Sequence, residues 1–195
     1  MAQNIYEREM LETVAEATDI FEQLFSSPDH ENRPYKNAEA IRDVAKASKG
    51  LERNLRNGQA KAVQQKLKGL LKLTSNQSLF RGEGLDRVPQ IVKAMAETVE
   101  LYEHSTYMLE TLLKYADGNR KKARSEGIPE YDLLAEACEE AAETMLRKGF
   151  AAAGTFFKRA LENKAFEEQG VEMMYERNIL PMFTQQEDTI RRKYR

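Results

Sequence analysis

The stretch VPQIVKAMAETVELYEHSTYMLETLLKYA (88–116) decides the fold. Val92, Met95, Val99, Tyr102, Leu109 and Leu113 recur at steps of three and four, or sums of them, which places them along one seam of an α-helix. Asp86 before it and Pro89 in its first turn are opening signals. Gly118 is placed to end it. The reading predicts a helix of about 30 residues, roughly 45 Å long.

The same periodicity extends outward in both directions. Met10, Val14, Ala17, Phe21 and Leu24 form a stripe on a first helix over about 5–26. SSPDHENRPYK (26–36) reads as a polar connector. Asn37 can cap a second helix carrying Ile41, Val44, Ser48, Leu51 and Leu55, broken at Asn57-Gly58. Val63, Leu67, Leu70 and Leu71 mark a third. DGNRKKARSEGIPE (117–130) reads as the longest loop. Pro129 opens a fifth helix with Leu134, Cys138, Ala141 and Met145 inward. Shorter helices are expected at roughly 154–168 and 170–179, then a last one after Pro181. No run alternates like a strand. The expectation is a single all-α domain over 1–195, a seven-helix bundle without a sheet.

Composition agrees. Gly (10) and Pro (5) are sparse, Trp is absent, and Ala, Leu, Glu and Lys dominate. One cysteine, Cys138, cannot form an internal disulfide and points to a reducing compartment. With no apolar run near membrane-span length and no signal-peptide core, a cytoplasmic protein away from membranes is expected. The net charge of −2 hides an asymmetry: residues 1–32 balance at −7, 33–87 at +8 and 88–195 at −3. The basic segment is either an anion-binding surface or a face that pairs with the acidic first helix.

The chemistry-bearing candidates are carboxylates. Glu97, Glu100 and His104 fall within about 60° on the fourth helix at 100° per residue. Glu136, Glu140 and Glu143 form a similar stripe on the fifth. If the two helices pack side by side, their acidic edges can meet and offer the hard oxygen ligands that Mg²⁺ or Mn²⁺ prefers. The competing reading is two solvated faces. His104 suits an ordinary helix-surface pair with Glu100, and Cys138 on an apolar stripe reads as core. Phosphate loops, dinucleotide glycine patterns and zinc spacings are absent from the sequence.

AIRDVAKASKGLERNLRNGQ (40–59), AVQQKLKGLLKL (62–73), AETVEL (96–101), LAEACEE (134–140), the Arg147-Lys148-Gly149 turn and the tail Leu180-Pro181…Glu187-Asp188-Thr189-Ile190-Arg191 together resemble, in order and pattern, the translin and translin-associated factor X family, including its single-gene prokaryotic members. Departures stand at Gln59, Thr98 and Glu136, and at Thr184, Gln185 and Gln186, where basic residues are expected. The resemblance implies a subunit of a hollow, usually octameric, homo-oligomeric shell. Its catalytic branch is a metal-dependent endoribonuclease acting on enclosed RNA. Carried over residue by residue, Glu97, Glu100 and Glu136 become catalytic metal-binding carboxylates, with Glu140 supporting.

In that chemistry Mg²⁺ or Mn²⁺ activates a water and neutralises charge on the scissile phosphate. Arg53, Arg56, Arg81, Arg87 and Lys93 are candidates to grip the backbone of single-stranded RNA. Two alternatives belong to other classes: a non-catalytic protein that binds single-stranded RNA or DNA, and a helical adaptor whose basic third docks on its own acidic helix.

Overall fold

Helix forms wherever apolar residues recur at three and four. The computed structural model describes residues 4–25, 35–57, 59–81, 84–162 and 172–195. These comprise α1 (Ile5–Phe25), α2 (Tyr35–Arg56), α3 (Ala60–Thr74), α4 (Val88–Glu126), α5 (Glu130–Lys148), α6 (Phe150–Leu161), α7 (Glu172–Asn178) and α8 (Leu180–Tyr194). Short 3₁₀ turns lie at Gln77–Phe80 and Leu85–Arg87, and no strand occurs among the described residues. The fold is all-α. Helices α7 and α8 are separated by Ile179 alone, beside Pro181. They match the separate helices expected at roughly 170–179 and after Pro181.

By packing, the chain divides into two compact units: Met1–Arg8 with Glu100–Lys193, and Glu9–Val99 with Tyr194–Arg195. The core of the second unit includes Met10, Val14, Ala17 and Phe21 of α1, Val44 and Leu51 of α2, and Val63, Leu67 and Leu70 of α3. Phe80, Leu85, Val88, Val92 and Met95 complete it. Ser48, buried among them, donates its hydroxyl to the Val44 carbonyl at 2.9 Å, and Thr18 and Thr74 do the same to Val14 and Leu70. A buried hydroxyl so satisfied carries no desolvation penalty of note.

The core of the first unit is more aromatic. Phe150 and Phe157 of α6, Tyr175 of α7 and Phe183 of α8 are fully enclosed with Leu134, Cys138 and Met145 of α5. Gly149 makes the α5–α6 corner at φ 89, ψ 174, a region open essentially to glycine alone. Tyr6 closes that corner. Its hydroxyl accepts the Phe150 N–H at 2.8 Å, and its ring lies 4.6 Å from the Phe150 ring. An amide in the first turn of α6, where helical partners are lacking, is thereby paired.

Helix α4 departs from expectation in two ways. It is 39 residues long, about 58 Å, and Gly118 lies inside it. The buried stripe simply continues through Leu112, Ala116, Asn119 and Ala123. The span 117–126, read as loop because of its charges, is the last part of the same helix, and its charged residues Asp117 and Lys121 pair on the solvated side at 2.6 Å. The helix stops at Gly127, φ 70, whose N–H reaches the Ala123 carbonyl at 3.0 Å.

The seam also shifts. Leu101, Ser105, Met108 and Leu112 are wholly buried, whereas Tyr102 and Leu109 are half-buried and Leu113 is 47% exposed. From Met95 to Leu101 the helix is enclosed over more than one face (Met95, Ala96, Thr98, Val99, Leu101), and the stripe rotates by about one residue there. A single seam extrapolated from the first half misses that rotation.

Smaller corrections concern helix ends. Helix α2 begins at Tyr35, so Asn37 lies in its first turn rather than at its cap. Helix α6 begins directly after Gly149 and ends at Leu161. The connector 26–34 with His30, Gly58, and the end of the helix expected near 168 lie outside the described residues.

Candidate functional site

The acidic edge of α4 faces α8. Glu100 accepts an ion pair from Lys193 at 2.7 Å, with 33% of the glutamate side chain accessible. His104 is not a surface partner of Glu100. Its Nε2 lies 3.0 Å from the Met182 carbonyl, and its ring packs 5.0 Å from Phe150. Glu97 is half-buried. Thr98, at the position where the resemblance would place tyrosine, is buried and donates to the Met95 carbonyl at 3.1 Å.

Helix α5 returns antiparallel to α4 across the Gly127–Pro129 turn, and one contact fixes the register. Arg120 grips Glu139 with two hydrogen bonds, 2.6 and 2.7 Å. Hydrogen bonding to Glu139 and its charge, with smaller contributions from Asp132 and Glu136, push the Arg120 guanidinium above its usual range against a small desolvation. Lys122 lies over the Tyr131 ring at 5.3 Å in the same sense.

This register places Glu136 level with about residue 123 of α4. Glu100 is then roughly 35 Å away along the helix, at 1.5 Å per residue, and some 16 Å beyond the last turn of α5. Glu136 and Glu140 are exposed, and Glu143 pairs with Arg147 at 2.7 Å. Among the described residues no three His, Cys, Asp or Glu side chains gather into a group that could hold a metal. The expectation that Glu136 meets Glu100 at a matching level within the chain is therefore corrected. The error came from treating 117–130 as loop, which left ten residues of α4 out of the hairpin. Within one copy of the chain, Glu100 and Glu136 do not converge.

The basic residues are better placed. Arg53, Arg81 and Arg87 are exposed, Lys93 is half-buried, and the Arg56 side chain lies outside the described residues. Arg53 belongs to a longer row. Arg42, Lys46, Lys49 and Arg53 are all exposed and step by four, three and four, so they occupy one arc of α2 within about 60°. The buried Val44, Ser48 and Leu51 lie on the opposite side. Lys49 reaches Glu22 of α1 at 3.0 Å, with both side chains more than half accessible. Only the Arg53 end of this row was singled out from the sequence, although its spacing is the same signal used for the apolar seams.

The buried ionisable groups are structural. Desolvation pushes the Cys138 thiol up to about 12, with a further push from the nearby Glu139 charge. Burial likewise raises Tyr175, partly offset by the hydrogen bond that Asn119 donates to its hydroxyl at 2.8 Å. A thiol so protonated is no nucleophile.

No protein-family profile, no curated protein and no solved structure matches this chain. Among the described residues no helix is long and apolar enough to cross a membrane.

Proposed function

We propose that the protein binds single-stranded RNA through the cationic arc of α2, without a metal centre inside the subunit. One observation carries the reading: Arg42, Lys46, Lys49 and Arg53 share one exposed face in the segment whose charge balance is +8. The Arg42–Arg53 row spans about 16 Å, enough to track two or three phosphates. Few aromatics stand in the basic segment, so grip comes from the backbone charge and carries little base preference. A metal-dependent endoribonuclease, and the octameric shell that the resemblance implies around it, are the second reading. It draws on the motif order of Glu97, Glu100 and Glu136, and it requires carboxylates from different copies to meet.

Fluorescence anisotropy with a labelled RNA oligomer tests the first reading. Binding that survives EDTA is expected, with log affinity falling against log salt at a slope of about −1.5 to −2 for two to three phosphate contacts. Each of Arg42→Gln, Lys46→Gln and Arg53→Gln flattens that slope by about 0.7. Absence of binding at low salt removes the proposal, and Mg²⁺-dependent cleavage of the oligomer replaces it with the second reading.

A further inference from the structure

Gly50 occupies the interior of the 22-residue helix α2, where glycine is less favourable than alanine. It is not among the positive-φ glycines, so the backbone does not require it. What lies over it is the end of a lysine side chain, which an added methyl would push aside. A Cβ at Gly50 would collide with the Lys66 ammonium, with Cε at 3.3 Å and Cδ at 3.7 Å. Lys66 comes from α3 and lays its half-buried side chain across α2 at the one position without a side chain.

Two more cations flank the same spot. Lys46 lies one turn before Gly50 and Arg53 one turn after it, both exposed, and Gly50 borders their arc at about 40–60°. Lys49 on the same row is already engaged by Glu22. Among the described residues, no ion pair holds Lys46, Arg53 or Lys66. Asp43 lies two turns before Gly50 on its side of the helix, about 10 Å away along the axis. With Lys66 over Gly50 and Lys46 and Arg53 on the adjoining exposed arc, like charges share one stretch of surface, and a bound anion relieves their repulsion.

We infer that Lys66 where it crosses Gly50, together with Lys46 and Arg53 on the adjoining arc, seats one phosphodiester of the bound single strand. The inference rests on the RNA-binding reading above and adds to it a defined seat and a residue from a second helix. Lys66 supplies a charge from across the hairpin, so the phosphate is held from two directions rather than along one helix face.

Two substitutions address the seat. Lys66→Gln removes the third charge. Gly50→Ala leaves every charge in place but puts a methyl where the ammonium rests. Each weakens RNA binding about five- to tenfold, the effect of one charge-assisted contact, while Lys158→Gln on α6 changes it less than about twofold. Gly50→Ala melts no lower than the parent, because alanine favours the helix; its loss of affinity is then not a loss of fold.

A parent protein that binds no RNA overturns the underlying reading together with the seat. Parent binding with Lys66→Gln and Gly50→Ala indistinguishable from Lys158→Gln overturns the seat alone. If inorganic phosphate shifts the Gly50 amide resonance with the same affinity as the oligomer, the occupant is a small anion and the nucleic-acid assignment fails.

Discussion

Tyr6→Phe isolates one hydrogen bond at a buried corner. The ring stays, and with it the 4.6 Å packing on Phe150. What goes is the oxygen that accepts the Phe150 N–H at 2.8 Å. Both residues are almost wholly buried, at 3% and 0% exposure, and Gly149 offers no side-chain cap. The amide is therefore left without a partner and without water. An unsatisfied buried donor costs about 1–3 kcal/mol. The enclosure argues for the middle of that range, about 2 kcal/mol, or a melting point lower by roughly 4–8 °C for a chain of this size. Urea titration followed by circular dichroism measures it, with the slope unchanged and the midpoint moved down. A midpoint within error of the parent refutes the claim that this oxygen satisfies the amide. A loss above about 4 kcal/mol refutes the claim that only a hydrogen bond was removed.

Gly118→Ala stabilises the protein by roughly 0.5–1 kcal/mol, because the glycine is exposed within α4 and no atom lies within 4 Å of its missing Cβ; thermal unfolding reads the gain. Gly149→Ala destabilises by about 1–3 kcal/mol, since φ 89 excludes a side chain and the new Cβ would stand 3.0 Å from the Tyr6 hydroxyl. Cys138 makes stability fall in alkali. Its thiol is raised from 9.0 to about 12 in the fold, so the unfolded chain loses the proton first and the thiol's contribution is full below pH 9. It drains away between about 9 and 12 at no more than roughly 1.4 kcal/mol per pH unit, and Cys138→Ala, followed by urea unfolding at several pH values, flattens that decline. Lys193→Met costs no more than about 1 kcal/mol, because its partner Glu100 keeps a third of its side chain accessible; a larger shift in urea midpoint contradicts that estimate.

The helices were legible because burial repeats at three and four. Met10 to Phe21, Val44 to Leu51 and Leu134 to Met145 sit where their spacing puts them. Register between helices was not legible. Nothing local marks Arg120 and Glu139 as partners, since they are 19 positions apart across a turn hidden by a charged segment. The fate of Glu100 and His104 depended on α8, more than 75 residues later in the chain. The basic row of α2 was available at 42, 46, 49 and 53, but the contribution of Lys66 was not. A lysine that lies over a glycine on another helix leaves no periodic trace.

The Tyr6–Phe150 contact joins positions 144 apart. At about 5–20 residues per second, roughly 7–29 s of translation separate the two ends of that contact. Once residue 99 is added, the described core residues of the second unit from Met10 to Val99 have been made, so most of α1 has partners before its first turn does. Closing a loop of this length comes late and is entropically uphill. Tyr6 therefore waits for Phe150, a latch that can close only after α5 has been made.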